Sequence, residues 1–223
     1  MASKRPVVAI DGPSGVGKST IAERVAARLD LPYLETGAMY RALGWKLLQL
    51  SIDPTDREAV EELAANIDLE VKQGIDHRAV ILLDGRPLDA GIRSPAVSEA
   101  TSQASVHPGV RREMVARQRG FARAQGAVLE GRDIGSQVFP DTPFKFFLTA
   151  SPEIRIARRM QQLEDLGESA IDREQIATEV SARDERDRTR VDSPLKVDAS
   201  YTVLDTGRLS VDDAVDAIVS AIG

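Results

Sequence analysis

Between the apolar run Val7-Val8-Ala9-Ile10 and a segment with Ile21, Val25 and Leu29 at four-residue spacing lies Gly12-Pro13-Ser14-Gly15-Val16-Gly17-Lys18-Ser19-Thr20. Gly12 to Ser19 satisfy the phosphate-loop pattern GxxxxGK[ST], in the strand-to-helix context that the pattern needs. The glycines let the backbone wrap a phosphate chain with its N–H groups aimed inward, and the helix N-terminus adds partial positive charge. Lys18 reaches the outer phosphates, and the Ser19 hydroxyl is placed to ligate magnesium. A buried strand feeding a helix in this way commits the chain to a parallel-sheet architecture.

The rest of the pattern agrees. Leu31 to Leu34 reads as a second strand and Ala38 to Leu50 as a second helix. Apolar runs at Ala127 to Leu129, Phe144 to Leu148 and Tyr201 to Leu204 read as further buried strands separated by helical pattern. Two stretches break the alternation. Ile67 to Leu88 alternates with period two around a turn near Gly74, which predicts a small antiparallel excursion. Glu153 to Arg190 is helical in pattern and dense in charge, the mark of a solvated flap laced with ion pairs.

The 223 residues include no cysteine, which excludes disulfides, thiolate-held metals and a cysteine nucleophile. His77 and His107 are the only histidines, lack metal-ligand spacing and read as surface residues. No apolar run approaches the roughly 20 residues of a membrane span, and the segment from Lys4 to Ile10 is too short for a signal-peptide core. A cytoplasmic protein is expected. The net charge of -6 argues against a nucleic-acid coat, yet the 29 basic residues divide into 23 arginines and 6 lysines. Arginine's planar fork matches phosphate, so the positions of the arginines decide what the imbalance means.

A phosphate loop alone leaves a small-molecule kinase, a switching GTPase and a remodelling ATPase in contention. The guanine-reading Asn-Lys-x-Asp is absent, as is an apolar run closed by Asp-Glu, and the kinase reading survives. Glu35-Thr36-Gly37-Ala38-Met39-Tyr40-Arg41 sets an arginine one turn into a helix, suited to a second anion. Glu130-Gly131-Arg132-Asp133-Ile134-Gly135 follows a buried strand, and the carboxyl ends of parallel strands face the ligand crevice. Arg183, Asp187 and Arg190 are spaced to share one helix face. Taken singly, Arg41 could pair with a surface carboxylate, and Arg132 with Asp133.

In order and over nearly the whole chain, IDGPSGVGKST, ETGAMYRA, VSEATSQASVHPGVR, EGRDIG, VFPDTPFKFFLTASPE and RDERDRTR resemble the bacterial cytidylate kinase family. The resemblance implies an α/β P-loop fold with a five-stranded parallel sheet: a core at 1–65, 101–150 and 192–223, a beta-rich monophosphate-binding insert at about 66–100 and a helical lid at about 151–191. It implies transfer of the γ-phosphoryl of ATP to CMP and dCMP, with Mg2+ as cofactor, in a monomer. Thr36, Arg41 and Arg132 would hold the acceptor's phosphate and ribose, and Tyr40 would also bind the acceptor. Ser102, Arg111 and Asp133 would read cytosine, and Arg183, Asp187 and Arg190 would close over the acceptor. Arg155, Arg158 and Arg159 would lie near the donor. Lys18, Arg132, Arg158, Arg183 and Arg190 would serve the transfer itself. Glu35 and Glu130 stand where the family commonly has aspartate, Glu130 at the magnesium-ordering position, and Ser136-Gln137 replace the more usual Thr-Val.

An ionised monophosphate needs no general base, unlike a hydroxyl acceptor; it needs cations that let two polyanions meet in line. Cytosine presents an amine where uracil presents a carbonyl, so a carboxylate such as Asp133 would accept from the first and repel the second.

Overall fold

The computed structural model describes residues 5–88, 90–123, 125–165, 167 and 172–223. Lys4, residue 89 of the expected insert and residues 166 and 168–171 of the expected flap lie outside them. The chain begins with β1 (Val7–Asp11), α1 (Lys18–Leu29), β2 (Tyr33–Glu35), α2 (Thr36–Gln49) and α3 (Arg57–Asn66). Three short strands follow: β3 (Leu69–Gln73), β4 (Ala79–Leu83) and β5 (Arg86–Pro87). A 3-10 turn at Ala90–Arg93 leads to α4 (Pro95–Ala104) and α5 (Pro108–Arg123). β6 (Ala127–Gly131), a one-turn π-helix at Ile134–Val138 and β7 (Phe144–Thr149) return to the sheet. α6 (Pro152–Asp165) and α7 (Arg173–Thr189) form a helical pair before β8 (Thr202–Asp205) and α8 (Val211–Ser220).

β1, β2, β6, β7 and β8 make one parallel sheet in the order β2-β6-β1-β7-β8. Alternate residues of the buried strands serve opposite faces, as the strand repeat of two requires. Val8, Ile10 and Val128 join Ile21, Val25 and Ile218 from α1 and α8. Ala9, Ala127 and Leu129 join Met39, Leu43, Leu47, Val110 and Met114 from α2 and α5. The antiparallel β3-β4-β5 sheet sends Leu69, Ile81 and Leu83 into this second cluster. No helix among the described residues is long and apolar enough to cross a membrane.

Four local expectations change. β2 starts at Tyr33, because Pro32 has no N–H for the ladder; its carbonyl instead accepts from Val128 N at 2.8 Å. α2 starts at Thr36, two residues early, with the Thr36 hydroxyl donating to the Glu130 carbonyl at 2.7 Å. His107 is buried, with Nε2 2.9 Å from the Pro54 carbonyl, rather than on the surface. Arg190 caps α7 instead of riding on it: the helix ends at Thr189, and only Arg183 and Asp187 share its face.

Candidate active site

The phosphate loop leaves β1 at the middle of the sheet and enters α1 through Gly17, whose φ of 84° is a left-handed value that side chains disfavour. Beyond it opens a cleft of about 500 Å³. Ser14, Gly15, Gly17, Lys18, Ser19 and Thr20 line it, together with Thr36, Tyr40, Arg41, Ser102, Arg111, Arg132, Asp133, Arg158, Arg183, Asp187 and Arg190. Every acceptor-side residue expected from the sequence therefore meets the loop in one space. Gly12, Pro13 and Val16 of the loop do not line it; Val16 is packed into the core, and the Pro13 carbonyl accepts from Lys18 Nζ at 2.7 Å.

Ser19 Oγ donates to Glu130 Oε1 at 2.5 Å, and the buried Tyr33 hydroxyl donates to the same oxygen at 3.1 Å. The longer glutamate thus spans from the end of β6 to the loop. Neither Arg41 nor Arg132 makes a pair at the surface or with its neighbour. Arg41 pairs with Glu35, which also takes Arg93 at 2.9 Å, and Arg132 Nε donates to Asp187 Oδ2 at 2.8 Å. Asp133 pairs with Arg111 through Oδ2, while its Oδ1 lies 3.6 Å from Arg190. The Arg111 guanidinium sits over the Tyr40 ring at 5.8 Å.

Arg158 is turned toward the loop. It donates to the Gly15 carbonyl at 3.4 Å and to the Thr206 hydroxyl and carbonyl at 3.1 and 2.7 Å, and Thr206 Oγ1 donates in turn to the Val16 carbonyl at 2.8 Å. Arg155 is buried against Asp184 at 2.6 Å and does not line the cleft, whereas Arg159 does.

Nine cations and four carboxylates line the cleft among the described residues. Burial and the neighbouring Arg132 push the Lys18 ammonium down to about 7 and Arg183 to about 10. Burial works to raise the carboxyls of Glu35 and Asp187, but the arginines beside them hold both below the usual range. Arg41 Nε, Arg111 Nε and Arg190 Nη2 are buried without a hydrogen-bond partner among the described residues. Buried donors left open in a cleft are sites for a ligand's acceptors.

Arg93, Ser98, Thr101, Ser105 and Gln162 also line the cleft. Ser98, Thr101 and Ser105 lie within the motif at 97–111, where no role was assigned to them, and no motif marks Arg93 or Gln162. Arg93 ends the short 3-10 turn that precedes α4, where only the fold brings it to Glu35. Thr206 has a weaker signal, a polar residue just after the last apolar run, where parallel strands present their carboxyl ends.

The family model described as cytidylate kinase matches residues 8–223. The chain belongs to the cytidylate kinase family. Among curated relatives, the cytidylate kinase of Solibacter usitatus (strain Ellin6076) is 42% identical over 220 residues, covering 98% of this chain and 93% of the relative. That of Symbiobacterium thermophilum is 44% identical, covering 96% of this chain and 94% of the relative. A bifunctional pantoate ligase/cytidylate kinase from Synechococcus sp. (strain JA-3-3Ab) is 46% identical over 97% of this chain, which spans only 40% of that protein's length. A crystal structure of an uncharacterized protein from Eubacterium ventriosum ATCC 27560 shares the fold, with a TM-score of 0.52, 14% identity and 98% of each chain covered.

Proposed function

We propose that this member of the cytidylate kinase family transfers the γ-phosphoryl group of ATP to CMP and dCMP, giving ADP with CDP or dCDP. One observation carries the reading: a phosphate loop and a buried Arg111–Asp133–Arg190 cluster line the same cation-rich cleft. In the reading, residues 1–65, 101–150 and 192–223 form the core, about 66–100 the acceptor-side insert and about 151–191 the lid.

The loop amides and Lys18 bind the donor phosphates. Thr36, Tyr40, Arg41 and Arg132 hold the acceptor, with Arg93 backing Arg41 through Glu35. Lys18, Arg132, Arg158, Arg183 and Arg190 spread positive charge over the group in transit, which suits a transfer limited by anion repulsion. The arginines beside Glu35 and Asp187 hold both carboxyls below the usual range, which makes each a weaker proton acceptor than the general base that a hydroxyl acceptor would call for. Asp133 spends Oδ2 on Arg111 and keeps Oδ1 for a donor, which favours the cytosine amine over the uracil carbonyl.

Magnesium would be held by the Ser19 hydroxyl, with Glu130 ordering its water, and would supply charge neutralisation for the donor phosphates. Among the described residues no cluster of three His, Cys, Asp or Glu could hold a metal alone. One protein hydroxyl and a carboxylate acting through water suit a cation that keeps waters and takes its other ligands from phosphates. The reading includes a cytoplasmic monomer with no nucleic-acid or membrane partner, in keeping with a net charge of -6.

Initial rates with CMP, dCMP, UMP and AMP test it. CMP and dCMP should be used and UMP should fall at least about tenfold behind, the scale of one mispaired buried polar group. Equal use of UMP would overturn the assignment of Asp133.

A further inference from the structure

Four carboxylates are buried among the described residues, and only Asp11 of these stands outside the cleft lining. It ends β1 in the middle of the sheet, in register with Gly131 on β6 and Phe147 on β7, and the phosphate loop begins at the next residue. Its side chain has no solvent exposure. Oδ1 accepts from Ile134 N at 2.8 Å, and Oδ2 accepts from Gly135 N at 2.8 Å and from the Tyr201 hydroxyl at 2.9 Å. Those two amides open the π-helix that follows Arg132 and Asp133.

An aspartate preceding a helix ordinarily turns back to accept from the first free amides. Asp133 stands at that position and makes no such bond. Gly135 N, one of the two amides it would take, is already held by Asp11, which reaches across from the neighbouring strand and also takes Ile134 N. Asp133 is thereby left to point at Arg111 and Arg190. The close approach is built in: a Cβ on Gly135 would meet the Tyr201 hydroxyl at 2.8 Å and Lys145 Cγ at 3.0 Å. Tyr201 is itself steadied edge-on against Phe147, with ring centroids 6.2 Å apart.

We propose that Asp11 is a positioning residue for acceptor recognition: by capping Ile134 and Gly135 in place of Asp133, it frees the Asp133 carboxylate to read the acceptor base. The inference rests on the acceptor-side reading of Asp133 given above. It places the recognition of one substrate under the control of the strand end that also launches the loop for the other. Burial raises the Asp11 carboxyl to about 6, above the ordinary aspartate value, so the ionised form persists at neutral pH because three donors converge on it.

The test uses the full chain and the variants Asp11→Asn, Tyr201→Phe, Asp133→Ala and Asp11→Asn with Asp133→Ala. An asparagine keeps the shape of Asp11 but leaves one backbone N–H without an acceptor in either orientation of its amide. Calorimetric titration should show CMP affinity falling about tenfold in Asp11→Asn and about threefold in Tyr201→Phe, with affinity for a non-hydrolysable ATP analogue changed less than about twofold. The CMP-over-UMP preference should narrow in both. In the double variant, Asp11→Asn should add less than about twofold to the loss from Asp133→Ala, since residues acting as a unit are not additive. Equal losses for CMP and the ATP analogue, or full additivity, would overturn the proposal. Should Asp11→Asn fail to fold, Tyr201→Phe combined with Asp133→Ala decides by the same comparison. Hydrogen exchange at the Ile134 and Gly135 amides, accelerated in Asp11→Asn without any nucleotide, reads the capping alone. A chain that shows this acceleration yet binds UMP as well as CMP before mutation would refute the cytosine reading while leaving the cap standing.

Discussion

Lys18 is the residue on which donor chemistry and local electrostatics meet most directly. Its ammonium is buried, bound to the Pro13 carbonyl and crowded by Arg132, and its pKa falls from the usual 10.5 to about 7. A triphosphate brings negative charge to within its reach and returns the pKa upward. Binding of an ATP analogue should therefore take up protons between about pH 7 and 9, approaching one per ligand, and none below about pH 6. Titrations in two buffers of different ionisation enthalpy measure this, and uptake that survives Lys18→Met would contradict the assignment. The sign for stability follows from the same displacement. The unfolded chain holds the extra proton between about pH 7 and 10.5, so this group's contribution to stability rises with pH across that window. Residue identities in this region were legible from sequence because Lys18, Arg41, Arg132 and Asp133 sit in contiguous motifs. Their partners were not. Arg132 finds Asp187, 55 residues away, and Glu35 collects Arg93 from a distance of 58. A motif records which groups a site needs, while the fold decides which of them neutralise one another before a ligand arrives.

At the scale of elements, buried strands and amphipathic helices declared themselves, and the period-two stretch from Ile67 correctly foretold the antiparallel sheet. The starts of β2 and α2 were harder to place, since Pro32 and Thr36 act through long-range hydrogen bonds to β6. The flap was legible as charged, and the spacing of Arg183 and Asp187 marked the face that lines the cleft; the pairs that hold it there were not legible. α7 buries only Ile176 and Asp187 and has no apolar stripe to dock it. It is held instead by charge: Asp184 to Arg155 on α6, Asp187 to Arg132 after β6, and Arg186 to both oxygens of Glu99 on α4 at 2.9 Å. The Arg186–Glu99 pair is partly exposed and joins helices on separate sides of the cleft, so salt should weaken it first. Raising NaCl from about 0.05 to about 0.5 M should speed amide exchange across Arg173–Thr189 severalfold while leaving β1 and β6 protected. Arg186→Ala should reproduce the low-protection state at low salt. A uniform response across sheet and flap would show that apolar contacts, not these pairs, hold α7.

For the whole molecule, a net charge of -6 conceals a separation of charge: the cleft alone carries an excess of five cations among its described lining residues. The acidic surplus lies elsewhere, as on α8, where Asp212 and Asp216 pair with exposed arginines of α1. Composition could not reveal this arrangement, because an average has no geometry; the strand order β2-β6-β1, which sets the carboxyl ends of these three strands side by side, supplies it. Gathering so many cations has a cost, visible in Arg183, which burial and Arg132 drive down to about 10, and in the open donors of Arg41, Arg111 and Arg190. An anion that fills the cleft relieves repulsion and satisfies donors together, so phosphate should matter more to ligand-induced stability than the base. At about a hundred times its dissociation constant, a ligand stabilises by about 2.7 kcal/mol, which for a chain of this size raises Tm by about 5–10 °C. ADP and CMP should each approach that figure in a thermal melt, and cytidine, which keeps the base and sugar but lacks phosphate, should stay within about 1 °C at the same concentration. A cytidine shift equal to that of CMP would mean that the base pocket carries the binding energy and that the arginines serve only the transfer step.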